Sequence, residues 1–144
     1  MITITDYLTR RATGERLDVT NADELTDAIR EAADDLLAKV NLLLTHFYVD
    51  APDASQRTVN SGWRPESLNK AVGGAPASKH LTGHAIDLGD ADRKLARWCA
   101  EHQDAMRAAG LCAERPEATP TWVHLQSVPV ASGAVFYWPS NRAY

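Results

Sequence analysis

Cysteine is scarce: Cys99 and Cys112 are the only two in 144 residues. So few thiols exclude a cysteine-built metal cluster, which would need further thiols or nearby histidines at short spacing. Both are read as free thiols, buried or partly buried. No apolar run approaches the ~20 residues that span a bilayer. The start, Met1-Ile2-Thr3-Ile4-Thr5-Asp6, has neither the basic opening nor the apolar run of a secretory leader. Synthesis in the cytoplasm is therefore expected, with any export by another route. Neither sign of charge dominates: 15 Lys and Arg face 19 Asp and Glu, interspersed, for a net charge of −4. That balance argues against nucleic acid or an anionic membrane surface as partner. Internal repeats and low-complexity tracts are also missing. One domain over residues 1–144 is expected, and a chain of ~150 residues buries roughly 70% of its unfolded surface without covalent staples.

What is present begins with a long amphipathic pattern. Leu25, Ile29, Ala32, Leu36, Val40, Leu43 and Phe47 recur every three or four residues, with Asp27, Arg30, Glu31, Asp34 and Asp35 on the other side. The spacing predicts a helix of about 25 residues with one stripe on a core. It is the first regular element expected. Asn21-Ala22-Asp23-Glu24 reads as its capping box, with Asn21 as N-cap. Thr58 to Ser61 suggests a short strand, and Pro65 opens a short helix through Asn69. Breakers from Gly73 to Gly83 exclude regular structure there, and His84 to Leu88 resumes as a strand. A second helix is predicted from Asp90 or Asp92 to Ala109, stopped by Gly110, with His102 packed on its inner stripe. Leu111 to Glu114 and Thr121 to Gln126 read as strands, and Val135 to Trp138 as an edge strand. The fold class is α+β, a small, mainly antiparallel sheet flanked by helices.

The segment Ser78-Lys79-His80-Leu81-Thr82-Gly83-His84-Ala85-Ile86-Asp87 holds three candidate metal ligands. A catalytic zinc takes three ligands from His and carboxylates and keeps a fourth position open. Strand alternation over residues 84–88 turns Asp87 away from His84, Ile86 and Leu88. Asp87 therefore pairs better with His80, which approaches from the preceding turn, while His84 lines a rim or is exposed. In Trp122-Val123-His124-Leu125-Gln126, Val123 and Leu125 face the core, which leaves Trp122, His124 and Gln126 on the opposite face. His124 beside an indole there suits the floor of a cleft.

Ser78-x-His80-x-x-Gly83-x-Ala85-x-Asp87 resembles the S-x-H-x-x-G-x-A-x-D signature of the zinc D-alanyl-D-alanine peptidases. That group includes D,D-carboxypeptidases, D-Ala-D-Ala dipeptidases and phage L-alanyl-D-glutamate endolysins, and it shares its fold with the hedgehog signalling domain. Ser61-Gly62-Trp63-Arg64 resembles its upstream S-G-[YFW]-R, and Trp122-Val123-His124 its distal W-x-H. Asn69, Gly73-Gly74-Ala75-Pro76 and Leu125-Gln126 are similar to the small phage-associated branch. The resemblance implies zinc as cofactor, held by His80, Asp87 and His124. It also implies Arg64 on a substrate carboxylate or a developing oxyanion. Ser78 would hydrogen-bond the substrate or cap a turn, and Trp122 would line the substrate site.

The implied substrate is a stem peptide or cross-link of bacterial peptidoglycan, with no nucleic acid and no membrane as partner, and a monomer is expected. Many members carry an acid three residues before the last histidine, where Thr121 stands here. Thr121 cannot accept a proton from water, so Glu114 is expected as the base, with Glu117 as the alternative. Without a leader, the enzyme would reach the wall after release at lysis or as part of a virion. The competing expectation is a non-catalytic, zinc-stabilised virion structural or cell-wall-binding module, which Thr121 favours.

Overall fold

The long helix starts later than the capping pattern predicts. In the computed structural model, which describes residues 1–139, helix α3 spans Asp27–Asp50. Its N-cap is Thr26, whose hydroxyl accepts from the Ile29 amide at 3.2 Å. The Asn21 amide instead donates to the Glu24 carboxylate at 2.8 Å, side chain to side chain, so neither serves a helix amide and the pair only closes a turn. Ala33, Leu36, Leu37, Val40, Leu43, Leu44 and Phe47 are buried along one face of α3, which keeps Leu36, Val40, Leu43 and Phe47 of the expected stripe, while Ile29 and Ala32 are half-buried. Full burial of a Leu or Phe side chain is worth ~1.5–3 kcal/mol.

Regular structure also precedes this helix, contrary to expectation. Helix α1 (Ile4–Leu8) is capped reciprocally by Thr3 and Asp6, and β1 (Thr9–Arg10) pairs with β2 (Glu15–Arg16) in a small hairpin. Helix α2 (Leu17–Thr20) follows. Elements of two to five residues carry no readable period. They are held by packing: Tyr7 is fully buried, and its hydroxyl donates to the Ala85 carbonyl at 2.9 Å.

The main sheet has five strands: β3 (Val59–Ser61), β4 (Ala85–Gly89), β5 (Cys112–Glu114), β6 (Trp122–Gln126) and β7 (Phe136–Tyr137). Their spatial order is β3-β4-β6-β5-β7. Every pairing is antiparallel except β5 with β7, so the sheet is mainly antiparallel and the fold α+β. Helix α4 (Glu66–Ala71) begins directly after Pro65. Ile86, Leu88, Val123 and Leu125 pack with the α3 stripe into one core.

The predicted second helix is two helices, α5 (Lys94–Glu101) and α6 (Gln103–Ala109). They break at His102, whose backbone leaves the helical region at φ −122° and ψ 50°. Its Nδ1 lies 2.8 Å from the Trp98 carbonyl, and its ring stacks on the Trp98 indole at 4.4 Å. The Trp98 carbonyl accepts the His102 amide as well, at 2.9 Å, so ring and amide together hold His102 over the last turn of α5. His102 is therefore half-exposed over Trp98 rather than inside the core. Asp90 starts α5, taking the Leu95 and Ala96 amides on its two oxygens at 2.9 Å each. Cys99 and Cys112 are free and buried. Among the described residues no helix is long and apolar enough to cross a membrane.

Candidate metal centre

The sheet assembles the site by register. Asp87 of β4 lies opposite His124 of β6, and Ser61 of β3 lies opposite Asp87 on its other side. Cys112 and Ala113 of β5 face Gln126 and Leu125, so one step further Glu114 falls beside His124. Glu114 in turn pairs with Tyr137 of β7. One row across five strands therefore carries Ser61, Asp87, His124, Glu114 and Tyr137. The alternating residues Ile86, Leu88, Val123 and Leu125 point into the core. Burying one face of this sheet obliges the other face to carry the polar row.

His80 reaches the row from the turn before β4 and is 2% exposed. Its Nδ1 lies 2.8 Å from the Gly62 carbonyl, and its amide donates to Ser78 Oγ at 3.3 Å. A carbonyl only accepts, so Nδ1 is a donor, and Nε2 is the ring nitrogen that faces Asp87 Oδ1 at 3.3 Å. Gly83, with φ +81°, lets the turn press onto helix α3: a Cβ there would sit 2.6 Å from the Ile29 carbonyl. His84 turns away and its Nδ1 meets Thr82 Oγ1 at 2.8 Å.

His80, Asp87 and His124 each offer one donor atom, and these atoms lie within 4.8 Å of one another. Two imidazoles and a carboxylate are the donor chemistry that suits a divalent ion such as zinc, and the outward hydrogen bond from His80 is the orientation such ligands use. Burial pushes the Asp87 carboxyl up, but the imidazoles of His80 and His124 outweigh it and hold Asp87 below the ordinary carboxylate range. Burial likewise pushes His124 down, and its bond to Asp87 at 2.8 Å more than reverses this. The group is built for concentrated positive charge.

A cavity of about 430 Å³ opens over these residues, walled by Arg64, Ser78, Glu114, Trp122 and Tyr137. Burial lowers the pKa of Arg64, against the pull of Asp87, Tyr7 and Glu114, and a guanidinium stays charged in such a setting. Arg64 Nη2 donates to Ser78 Oγ at 3.3 Å. Its Nε is buried with no acceptor among the described residues. Ser78 therefore both caps its turn and holds Arg64. Glu117 is exposed, 3.8 Å from Arg115, and does not line the cavity. Thr121 is exposed, and its carbonyl takes the Asp90 amide at 2.9 Å.

The peptidase M15 family model matches residues 13–126. The chain belongs to that family. That family agrees with the resemblance of the sequence motifs. A zinc D-Ala-D-Ala carboxypeptidase from Streptomyces albus G is 41% identical over 56 residues, which are 36% of this chain and 22% of that protein. The chain thus covers less than a quarter of that relative's length.

Gln126 and Tyr137 line the cavity of this M15-family chain and escaped the sequence reading as site residues. Alternation had already put Gln126 on the face of His124, which was the available signal. Tyr137 arrives through the parallel pairing of β7 with β5, for which the sequence has no local mark.

Proposed function

We propose that this chain is a zinc-dependent peptidase that hydrolyses a peptide bond in the stem peptides or cross-links of bacterial peptidoglycan. The observation that carries this reading is the convergence of His80, Asp87 and His124 on one point beneath the cavity that Arg64 and Glu114 wall. In this reading those three residues hold the metal and residues 1–144 form one peptidase domain. Zinc supplies Lewis acidity when bound, polarising a carbonyl and acidifying water. Glu114 accepts a proton from the attacking water and returns it to the leaving amine. Arg64 binds a substrate carboxylate or the developing oxyanion, a contribution of ~3 kcal/mol per donor in comparable sites. Ser78 steadies Arg64, and Trp122 offers an apolar wall to the peptide.

The relative from Streptomyces supports zinc and a D-Ala-D-Ala bond by its name. The phage-associated features support an endolysin-type endopeptidase, released at lysis or carried in a virion. One of them, Asn69, is buried and donates to the Ala75 carbonyl at 2.9 Å, which anchors the loop beside the cavity. Thr121 favours a second reading, a zinc-stabilised virion structural or wall-binding module without catalysis.

The deciding experiment digests purified peptidoglycan with the zinc-loaded protein and reads released fragments by mass spectrometry. Fragments lost on chelation, and reduced about 10²–10⁴-fold by Glu114→Gln with the metal retained, are expected. Glu117→Gln should match wild type. An unchanged digest from protein shown to hold zinc would sink the enzymatic reading on this substrate and favour the module.

A further inference from the structure

We infer that Gln126 and Tyr137 are positioning residues for the metal centre, fixing His124 with its proton on Nε2 and its Nδ1 toward Asp87 and His80. This rests on the ligand set proposed above. It starts from an atom outside the site. The Gln126 side-chain nitrogen donates to the Val128 carbonyl at 2.8 Å. A carbonyl only accepts, so this contact decides which end of the amide is nitrogen and turns Oε1 the other way.

That oxygen meets two groups. The Tyr137 hydroxyl donates to it at 2.6 Å, and His124 Nε2 lies 3.2 Å from it. An amide oxygen has two lone pairs and no proton, so His124 Nε2 must be a donor. Nδ1 is then the nitrogen left for the cluster, and it lies 2.8 Å from Asp87 Oδ1. The two imidazoles thus present different nitrogens, Nε2 from His80 and Nδ1 from His124, each fixed by an acceptor behind it.

Tyr137 completes the arrangement from the edge of the sheet. Its strand, β7, pairs in parallel with β5 and sets Tyr137 beside Glu114. Burial and the neighbouring Glu114 carboxylate push its hydroxyl well above the ordinary range, so it remains a donor. With Tyr137 and Val128 holding opposite ends, the Gln126 amide cannot flip without facing donor to donor and acceptor to acceptor. Tyr137 also lies beyond residues 13–126, the part of the chain that the family model matches. The edge strand therefore adds to this centre a support that the matched region does not contain.

The test uses the full chain as wild type, Tyr137→Phe, Gln126→Leu and His80→Ala. Zinc affinity is measured by competition with a chromophoric chelator, and the His124 ring by long-range ¹H–¹⁵N NMR. Expected are metal on Nδ1 with a slowly exchanging Nε2 proton in wild type. Gln126→Leu should bind zinc about 10–100-fold more weakly. Tyr137→Phe, which keeps the ring and the strand, should lose about 3–10-fold, with faster Nε2–H exchange. Metal on Nε2 of His124 would overturn the inference. So would wild-type affinity and exchange in Tyr137→Phe, which decides the matter even if Gln126→Leu does not fold. His80→Ala separates this from the ligand reading: unchanged zinc binding there would overturn the ligand set and the inference with it. Loss in His80→Ala beside wild-type behaviour in Tyr137→Phe would overturn the inference alone.

Discussion

Gly62→Ala should damage both the fold and the metal centre, through one added methyl group. A Cβ at Gly62 would overlap the Tyr7 carbonyl oxygen and stand 2.8 Å from both the Tyr7 carbonyl carbon and ring Cδ2. Tyr7 has no room to retreat. It is fully buried, its hydroxyl is bound to the Ala85 carbonyl, and its own carbonyl accepts the Trp63 amide at 3.3 Å. The chain at Gly62 must therefore move, and its carbonyl is the acceptor that orients His80. Overpacking of this kind costs ~1–3 kcal/mol, and the weakened hydrogen bond adds ~1 kcal/mol. For a domain of this size ~1 kcal/mol corresponds to roughly 3 °C, so a fall of about 6–12 °C in Tm is expected. A His80 ring without its anchor should lower zinc affinity about 10–100-fold. Thermal melts of the metal-free protein read the first effect, and chelator competition reads the second. Wild-type values in both would refute the close approach of Tyr7 to Gly62 and the orientation of His80 drawn from it.

Zinc at one hundred times its Kd should stabilise the fold by ~2.7 kcal/mol, so a chelator should lower Tm by roughly 8 °C; no change on chelation would count against the site. Leu43→Ala, at a fully buried position of α3, should cost ~2–5 kcal/mol in denaturant unfolding. Burial, with Asp90 nearby, pushes the Cys99 thiol up to about 12. Cys99 should therefore resist a thiol reagent at pH 8 until the protein unfolds, and rapid labelling of the native state would contradict its burial.

Parts of this fold are legible in the sequence for a physical reason: they repeat. Helix α3 shows its stripe because seven buried apolar positions follow one period, and the parity of Asp87 and His124 follows from strands with one buried face. Features governed by single side-chain bonds are not periodic and were misread. Asn21 and Thr26 carry equally suitable capping groups, and only the Asn21–Glu24 bond removes the first from the contest. His102 sits on the apolar stripe, yet its backbone leaves the helical region and its ring stacks on Trp98.

The site divides along the same line, between what one segment can hold and what only pairing brings together. His80 and Asp87 share one segment, so its motif and the alternation of its strand suffice to associate them. Glu114 against Glu117 is a question of ladder register, and three residues of strand place one in the cavity wall while the next loop leaves the other in solvent. Tyr137 is further removed still, because a parallel edge strand can be joined to β5 in any register that its two residues allow. In the register observed, two backbone bonds join the strands and the hydroxyl meets the second lone pair of Gln126 Oε1, whose first serves His124. The last strand of the sheet is thus tied through Gln126 to His124. That is why removing one phenolic oxygen should register at His124, the proposed ligand two strands away.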